Sequence, residues 1–193
     1  MASTLKVQNI AHTGGTNAMA VDSAGTVDFP VNNNVSIFGL TTQQTINSSS
    51  LATLTGWSVI NNQTTHGFKT VGSSITESSG VFKPTKLGLY RVDADFNLYN
   101  HQHSGGIRWI EIDLAFTPNG QSEIGGDVYN NIGYHQSDTT YVLGNRTRFY
   151  NFNHANDSLR IRIAGSASFV IKASGASDFD SQIMFTWLAP PVA

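Results

Sequence analysis

Between Tyr90 and Tyr99 every second residue is apolar: Tyr90, Val92, Ala94, Phe96 and Leu98 alternate with Arg91, Asp93, Asp95 and Asn97. A repeat of two places these sets on opposite faces of an extended strand, one buried and one wet. A helix needs apolar residues every three to four positions, and the chain lacks such a pattern. Further strands read as Ile107–Phe116, Thr147–Asn153, Leu159–Ala164, Phe169–Lys172 and Gln182–Leu188. In Leu159–Ala164, Leu159, Ile161 and Ile163 face inward, and Arg160 and Arg162 outward. Turn chemistry separates the strands at Pro118-Asn119-Gly120, Gly125-Gly126, Asn156-Asp157 and Ser174-Gly175. Short strands at this spacing predict an all-β antiparallel sandwich. The one helical element expected is a single turn somewhere within Thr42–Leu54.

Composition narrows the classes. Only 12% of the 193 residues are charged, against a usual figure of about 25%, while Ser, Thr and Asn together supply 56 positions. Neutral hydroxyls and amides have replaced charge. A formal net charge of -2, with eleven Lys and Arg scattered from Lys6 to Lys172, gives no basic patch for nucleic acid. No apolar run approaches the ~20 residues of a membrane helix, so no membrane insertion is expected. The opening Met-Ala-Ser-Thr-Leu-Lys-Val-Gln does not read as a signal peptide. Zero Cys removes disulfides, thiolate metal sites and a cysteine nucleophile. Synthesis in a cytosol is the expectation, and the four Asn-x-Ser/Thr sequons at Asn47, Asn62, Asn145 and Asn156 then follow from composition alone.

The first forty residues differ from the rest. Leu5, Val7 and Ile10 suit one strand, and Ala18–Val21 with Thr26–Phe29 suit a hairpin around Asp22-Ser23-Ala24-Gly25. Such strands are too short to build a core alone. Residues 1–40 are therefore read as an extended, hairpin-bearing arm that attaches to another subunit or a larger assembly; a disordered tail is the alternative. Residues 41–55, rich in Ser, Thr, Gln and Asn, read as a linker. Residues 56–193 form the main domain.

Gly80-Val81-Phe82-Lys83-Pro84-Thr85-Lys86-Leu87-Gly88-Leu89-Tyr90 resembles the Gly-x-Phe-x-Pro-x-x-x-Gly-x-Tyr signature of TNF-like jelly rolls, the complement globular-head fold. Here Phe82 ends an inward-facing strand and Pro84 blocks further pairing. Gly88 permits a tight re-entry before the long strand that starts at Tyr90. The resemblance extends from Gly56 to Leu188, although Asn156-Asp157 stands where relatives often carry Gly-Asp. It implies a jelly-roll sandwich and a three-fold homotrimer. Separately, Leu5–Ile10 and Thr16–Val27 resemble the opening of many short bacteriophage virion proteins, in which that segment is fixed to the particle.

Aromatic content supports self-association independently. Nine Tyr and Phe lie between Tyr129 and Trp187, and Thr147–Asn153 interleaves Phe149, Tyr150 and Phe152, so both faces carry a ring. One face goes to the core and the other needs a symmetric partner. Phe149, Tyr150, Phe152 and Phe185 are the expected interface. The loop 129–140 mixes Tyr, Asn, His and Ser, which suits hydrogen bonding and stacking against a glycan or protein. Tyr129, Tyr134, His135 and Tyr141 are its candidate contacts, with a plain solvated connection as the alternative. Trp57 and Trp109 are read first as core residues.

His101-Gln102-His103 puts two imidazoles on one face of an extended segment, a weak candidate pair of metal ligands or simply two exposed histidines. Asp93 with Asp95, and Glu111 with Asp113, are carboxylate pairs at strand spacing. Cross-strand pairing with arginine on the solvent face is preferred to acid/base or calcium chemistry, and Asp178 with Asp180 is similar. No Gly-x-Ser-x-Gly elbow, phosphate loop or dinucleotide fingerprint is present. No enzyme activity and no cofactor are expected.

These readings converge on a trimeric phage structural protein made in the bacterial cytoplasm and located in the virion. In the first version it is a tail fibre or appendage, with partners in the tail or baseplate and a head that binds the host surface. The alternative is a capsid decoration protein on the major capsid protein, and a second alternative is a bacterial carbohydrate-binding module.

Overall fold

The structure is a computed structural model that describes residues 9–11, 17–21, 27–28, 34–47, 50–60, 70–99, 109–125, 129–130, 141–173 and 181–192. Within these, 9–11, 17–21, 27–28, 99, 129–130 and 141–143 are described by their backbone. The chain divides into two compact units, Met1–Asn33 and Asn34–Ala193.

The first unit is a three-stranded antiparallel sheet of β1 (Asn9–Ala11), β2 (Asn17–Val21) and β3 (Val27–Asp28). The expected hairpin is there, with Ala20 opposite Asp28 and Val21 opposite Val27.

The second unit is all antiparallel, and its strands stack as two sheets around one core. In chain order they are β4 (Val35–Leu40), β5 (Gln44–Ile46), β6 (Ala52–Thr53), β7 (Trp57–Val59), β8 (Ile75–Ser78), β9 (Val81–Pro84), β10 (Gly88–Tyr99) and β11 (Ile110–Thr117). β12 (Tyr129–Asn130), β13 (Tyr141–Phe152), β14 (Ser158–Gly165), β15 (Phe169–Ile171) and β16 (Ser181–Ala189) follow. One sheet runs β5-β15-β10-β16-β4-β7, with β13 on the free side of β10; the other runs β12-β11-β14-β9-β8, with β6 also on β14. Each of the six expected strands from Tyr90 onward is present, with ends shifted by a few residues and β13 starting six residues earlier.

The N-terminal boundary differs from expectation. Val35–Leu40, read as part of the arm, pairs with β16 from Val35–Thr186 to Gly39–Gln182. The 41–55 segment, read as a linker holding a helical turn, contributes β5 against β15 and β6 against β14. No helix occurs among the described residues. The reason is burial on both faces: Ile37, Phe38 and Leu40 are all below 5% exposed, so β4 lacks the alternation that marks a half-wet strand. β5 and β6 are too short to show any period, and only their pairing partners define them.

The core is aromatic. Phe82 lies 5.2 Å from Phe38, 5.8 Å from Trp57 and 5.1 Å from Phe185, ring centre to ring centre. Phe152 adds edge contacts at 5.3 Å to both Tyr90 and Phe116. Tilted and edge-to-face pairs at this spacing contribute beyond area burial alone. Two residues expected at a subunit interface, Phe152 and Phe185, therefore belong to the protomer's own core, each at 0% exposure. The inward period of β13 and β16 places them there, leaving no surface to offer a partner.

The signature segment acts as a clasp. The Tyr90 hydroxyl donates to Lys86 O at 2.7 Å, closing the turn after Pro84. Trp187 Nε1 donates to Leu87 O at 3.0 Å, while Lys86 Nζ sits 3.6 Å over the Trp187 ring. Gly88, at φ +151°, has no room for a side chain: a Cβ would collide with Ala189 O and Trp187 Nε1.

Three substitutions test this account by denaturant unfolding. Phe82→Ala should cost ~3–5 kcal/mol, as for large-to-small changes in packed cores. Gly88→Ala should be as damaging despite adding one methyl group, whereas Gly120→Ala, at a φ of +70° with open space around it, should cost about 1 kcal/mol.

Candidate interaction surface

Alternation along β10 sends Arg91, Asp93, Asp95 and Asn97 to the face of the first sheet that lies away from the core. Register adds Thr186, Met184 and Gln182 from β16, opposite Arg91, Asp93 and Asp95. From β13 it adds Phe149, Thr147 and Asn145, opposite the same three residues. The result is a polar sheet face with one large ring at its margin. Phe149 is 62% exposed, the most exposed large apolar side chain of the described residues. Of the four interface candidates, only Phe149 and half-buried Tyr150 keep accessible area. Tyr150 leans inward, stacked on Phe116 at 5.3 Å, with its hydroxyl donating to Leu114 O at 2.8 Å.

Charge on this face is unevenly satisfied. Arg91 pairs with Asp93 within its own strand, with Nη2 at 2.9 Å from Oδ1 and Nε at 3.0 Å. Thr147 Oγ1 donates to the same oxygen at 2.6 Å. The other oxygen, Oδ2, is enclosed with no partner, as is Gln182 Oε1 nearby. Burial pushes the Asp95 carboxyl up from its ordinary value, the Asp93 charge pushes it further, and a hydrogen bond from Gln182 pulls the other way.

Both carboxylate pairs depart from expectation: Asp93 is buried and its arginine lies on its own strand, not across from it, and the second pair is covered. Cross-strand pairing with arginine holds in the second pair, since Asp113 stands opposite Arg162 and accepts from its Nε at 2.7 Å and from its Nη2. Solvent exposure does not: Asp113 is at 0% and Glu111 at 7%. Segment 118–125 returns over this face, bridged by Phe116 and Ile124, and brings Glu123 to Arg162 at 2.6 Å and Arg160 at 3.1 Å. Asp157 is structural, its carboxylate accepting from the backbone N–H groups of Asn119, Asn153 and His154.

His101, His103, Tyr134, His135, Asp178 and Asp180 lie outside the described residues. Tyr129 is described by its backbone in β12, where it stands opposite Glu111. Tyr141, likewise described by its backbone, opens β13 opposite Tyr99. Trp57 is buried, as expected, and donates to Leu54 O at 3.1 Å; Trp109 is half-buried. Among the described residues no group of three or more His, Cys, Asp or Glu is placed to hold a metal, and no helix is long and apolar enough to cross a membrane. The aromatic count pointed to Phe149 but could not separate it from Phe152, three positions away on the opposite face.

Comparison with solved structures identifies the architecture. Murine APRIL superposes with a TM-score of 0.55 at 10% identity, covering 80% of this chain and 98% of its own. Eiger TNF from S. frugiperda gives 0.56 at 15% identity, covering 82% and 94%. PRD1 vertex protein P5 gives 0.49 at 16% identity, covering 81% and 98%. No family model and no curated protein matches the sequence. The chain thus has a TNF-like jelly-roll fold, with β10 and β16 at the centre of one sheet and β13 at its edge.

Tyr150 offers a pH test. Burial pushes its phenol up to about 12, with Asp113 adding to that shift and Arg148 and Arg146 opposing it. A phenol raised in the folded state stabilises fully below its ordinary pKa of 10.0, and that contribution is lost as pH rises through about 12. Absorbance titration should show a late-ionising tyrosine that disappears in Tyr150→Phe. Below pH 10 the variant should be less stable by ~1 kcal/mol, the usual worth of one hydrogen bond.

Proposed function

We propose that this protein is a non-enzymatic, homotrimeric structural component of a phage particle, with its N-terminal unit as the attachment device and its jelly-roll head turned outward. The observation that carries the reading is the pairing of a TNF-like head with a separate small β-sheet unit, Met1–Asn33, whose sequence resembles the particle-bound opening of virion proteins. Three short strands bury too little to be stable alone, so attachment to a neighbouring protein is the physical use of such a unit.

Self-association has its own support. β13 is a twelve-residue strand whose free side is not paired among the described residues, with exposed Phe149 on it. Long open edges are an aggregation hazard that native proteins cover. Three copies closing around an axis cover all three edges at once. As a tail fibre or appendage, the trimer contacts host glycan or protein through the 129–141 region. Tyr129, Tyr134, His135 and Tyr141 are the proposed contacts there, suited by stacking and hydrogen bonding.

Light scattering should give three times the chain mass of 20.8 kDa, and a monomer at micromolar concentration would remove the trimer. Quantifying the chain against the major capsid protein in purified particles then decides its place. A few copies per particle fit a fibre, hundreds of copies assign it to capsid decoration, and absence from particles refutes the virion role.

A further inference from the structure

Two arginines on the edge strand form no ion pair among the described residues. Arg146 and Arg148 stand two apart on β13, opposite Ala94 and Val92, hence on the core side of the sheet and at its open margin. Arg146 is half-buried, and its Nε is enclosed with no acceptor. Burial and the neighbouring Arg148 charge both lower its pKa, which marks a cation short of solvent and of partners.

The reverse situation exists on the opposite face of the same sheet. Arg91 reaches only Oδ1 of Asp93, and none of the ion pairs among the described residues includes Asp95. Asp93 Oδ2 and Gln182 Oε1 are enclosed without donors. Because successive side chains point to opposite faces of a strand, Arg146 cannot reach Asp95 of its own chain, although their strands are adjacent.

Symmetry decides which contact between copies is favourable. Edge-to-edge pairing of two β13 strands about a two-fold axis would set the arginine pairs of both copies together, four like charges in one place. A head-to-tail contact sets the arginine margin of one copy against the carboxylate face of the next, and such contacts close into a ring when the rotation allows. Arg146 is half-buried and Asp93 buried, while Arg148 and Asp95 are exposed, so the contact is carried by charges that still reach the surface, and their desolvation offsets part of the attraction.

We infer that in the assembled ring Arg146 and Arg148 of each copy face the exposed Asp95 of the partner subunit, making the contact head-to-tail and setting its register. This rests on the trimer reading above, and the experiment separates the two.

Oligomeric state is measured by sedimentation equilibrium for the full chain and its variants, with circular dichroism to confirm folding. The wild type should be trimeric, with association weakened by raising salt from 50 to 500 mM as expected for charge pairs. Arg146→Glu with Arg148→Glu should raise the dissociation constant by about 100-fold or more, within the range of coupling energies for close charge pairs across interfaces. Adding Asp95→Arg to that chain should recover trimer to within about 10-fold of wild type. Mixing the arginine variant with a separate Asp95→Arg chain should not restore it, because a three-membered ring of two kinds always keeps one like-charged contact. Should a reversal variant fail to fold, Arg146→Gln with Arg148→Gln replaces it, with weakened association still expected. A monomeric wild type defeats the trimer reading. A trimeric wild type whose arginine variants associate unchanged, or whose charge-swapped chain folds but stays monomeric, overturns the inference alone.

Discussion

The burial of one face of β10 is the contact on which the rest of the sandwich depends. Tyr90, Val92, Ala94, Phe96 and Leu98 are each at 1% exposure or less, and the strand is paired along both sides by β13, β16 and β15. A strand so enclosed cannot slip by one residue without turning its apolar set outward and its carboxylates inward. Its start is held by the Tyr90 hydroxyl, the Trp187 indole and the absence of a side chain at Gly88. The clasp thereby fixes the register of three strands at once.

Charge is used sparingly, and where it occurs it is placed with care. In the second sheet, Asp113, Arg162, Glu123 and Arg160 form a chain of ion pairs beneath the 118–125 segment. A buried pair such as Asp113–Arg162 contributes little net stability, because desolvation offsets much of the attraction. Removing one partner would strand the other, so the network favours one arrangement of β11 and β14 over alternatives. In the first sheet the charges are incompletely matched, with Asp93 Oδ2 and Gln182 Oε1 enclosed without a partner.

The legibility of the fold varied along the chain for physical reasons. From Tyr90 onward, strands with one buried and one wet face carry the period-two signal directly, and Arg160 and Arg162 alternate with Leu159, Ile161 and Ile163 as read. β4 is buried on both sides and β5 and β6 are two or three residues long, so Asn34–Thr55 looked like arm and linker when it is sandwich. For the candidate surface, the sequence singled out the aromatics of β13. It could not tell outward Phe149 from inward Phe152, nor anticipate that Phe185 packs on Phe82 at the middle of the core.

By itself, the sequence determined the fold class, the extent of the main strands and the separate character of the opening residues, because each rests on local periodicity and turn chemistry. Tertiary structure alone decided which rings face the core, that Glu111 and Asp113 are covered, and that Arg146 and Asp95 lie on opposite sides of one sheet. Those facts depend on which strands become neighbours. Pairing between residues as far apart as Ile37 and Met184 is set by the packing of the whole core, and no local pattern records it.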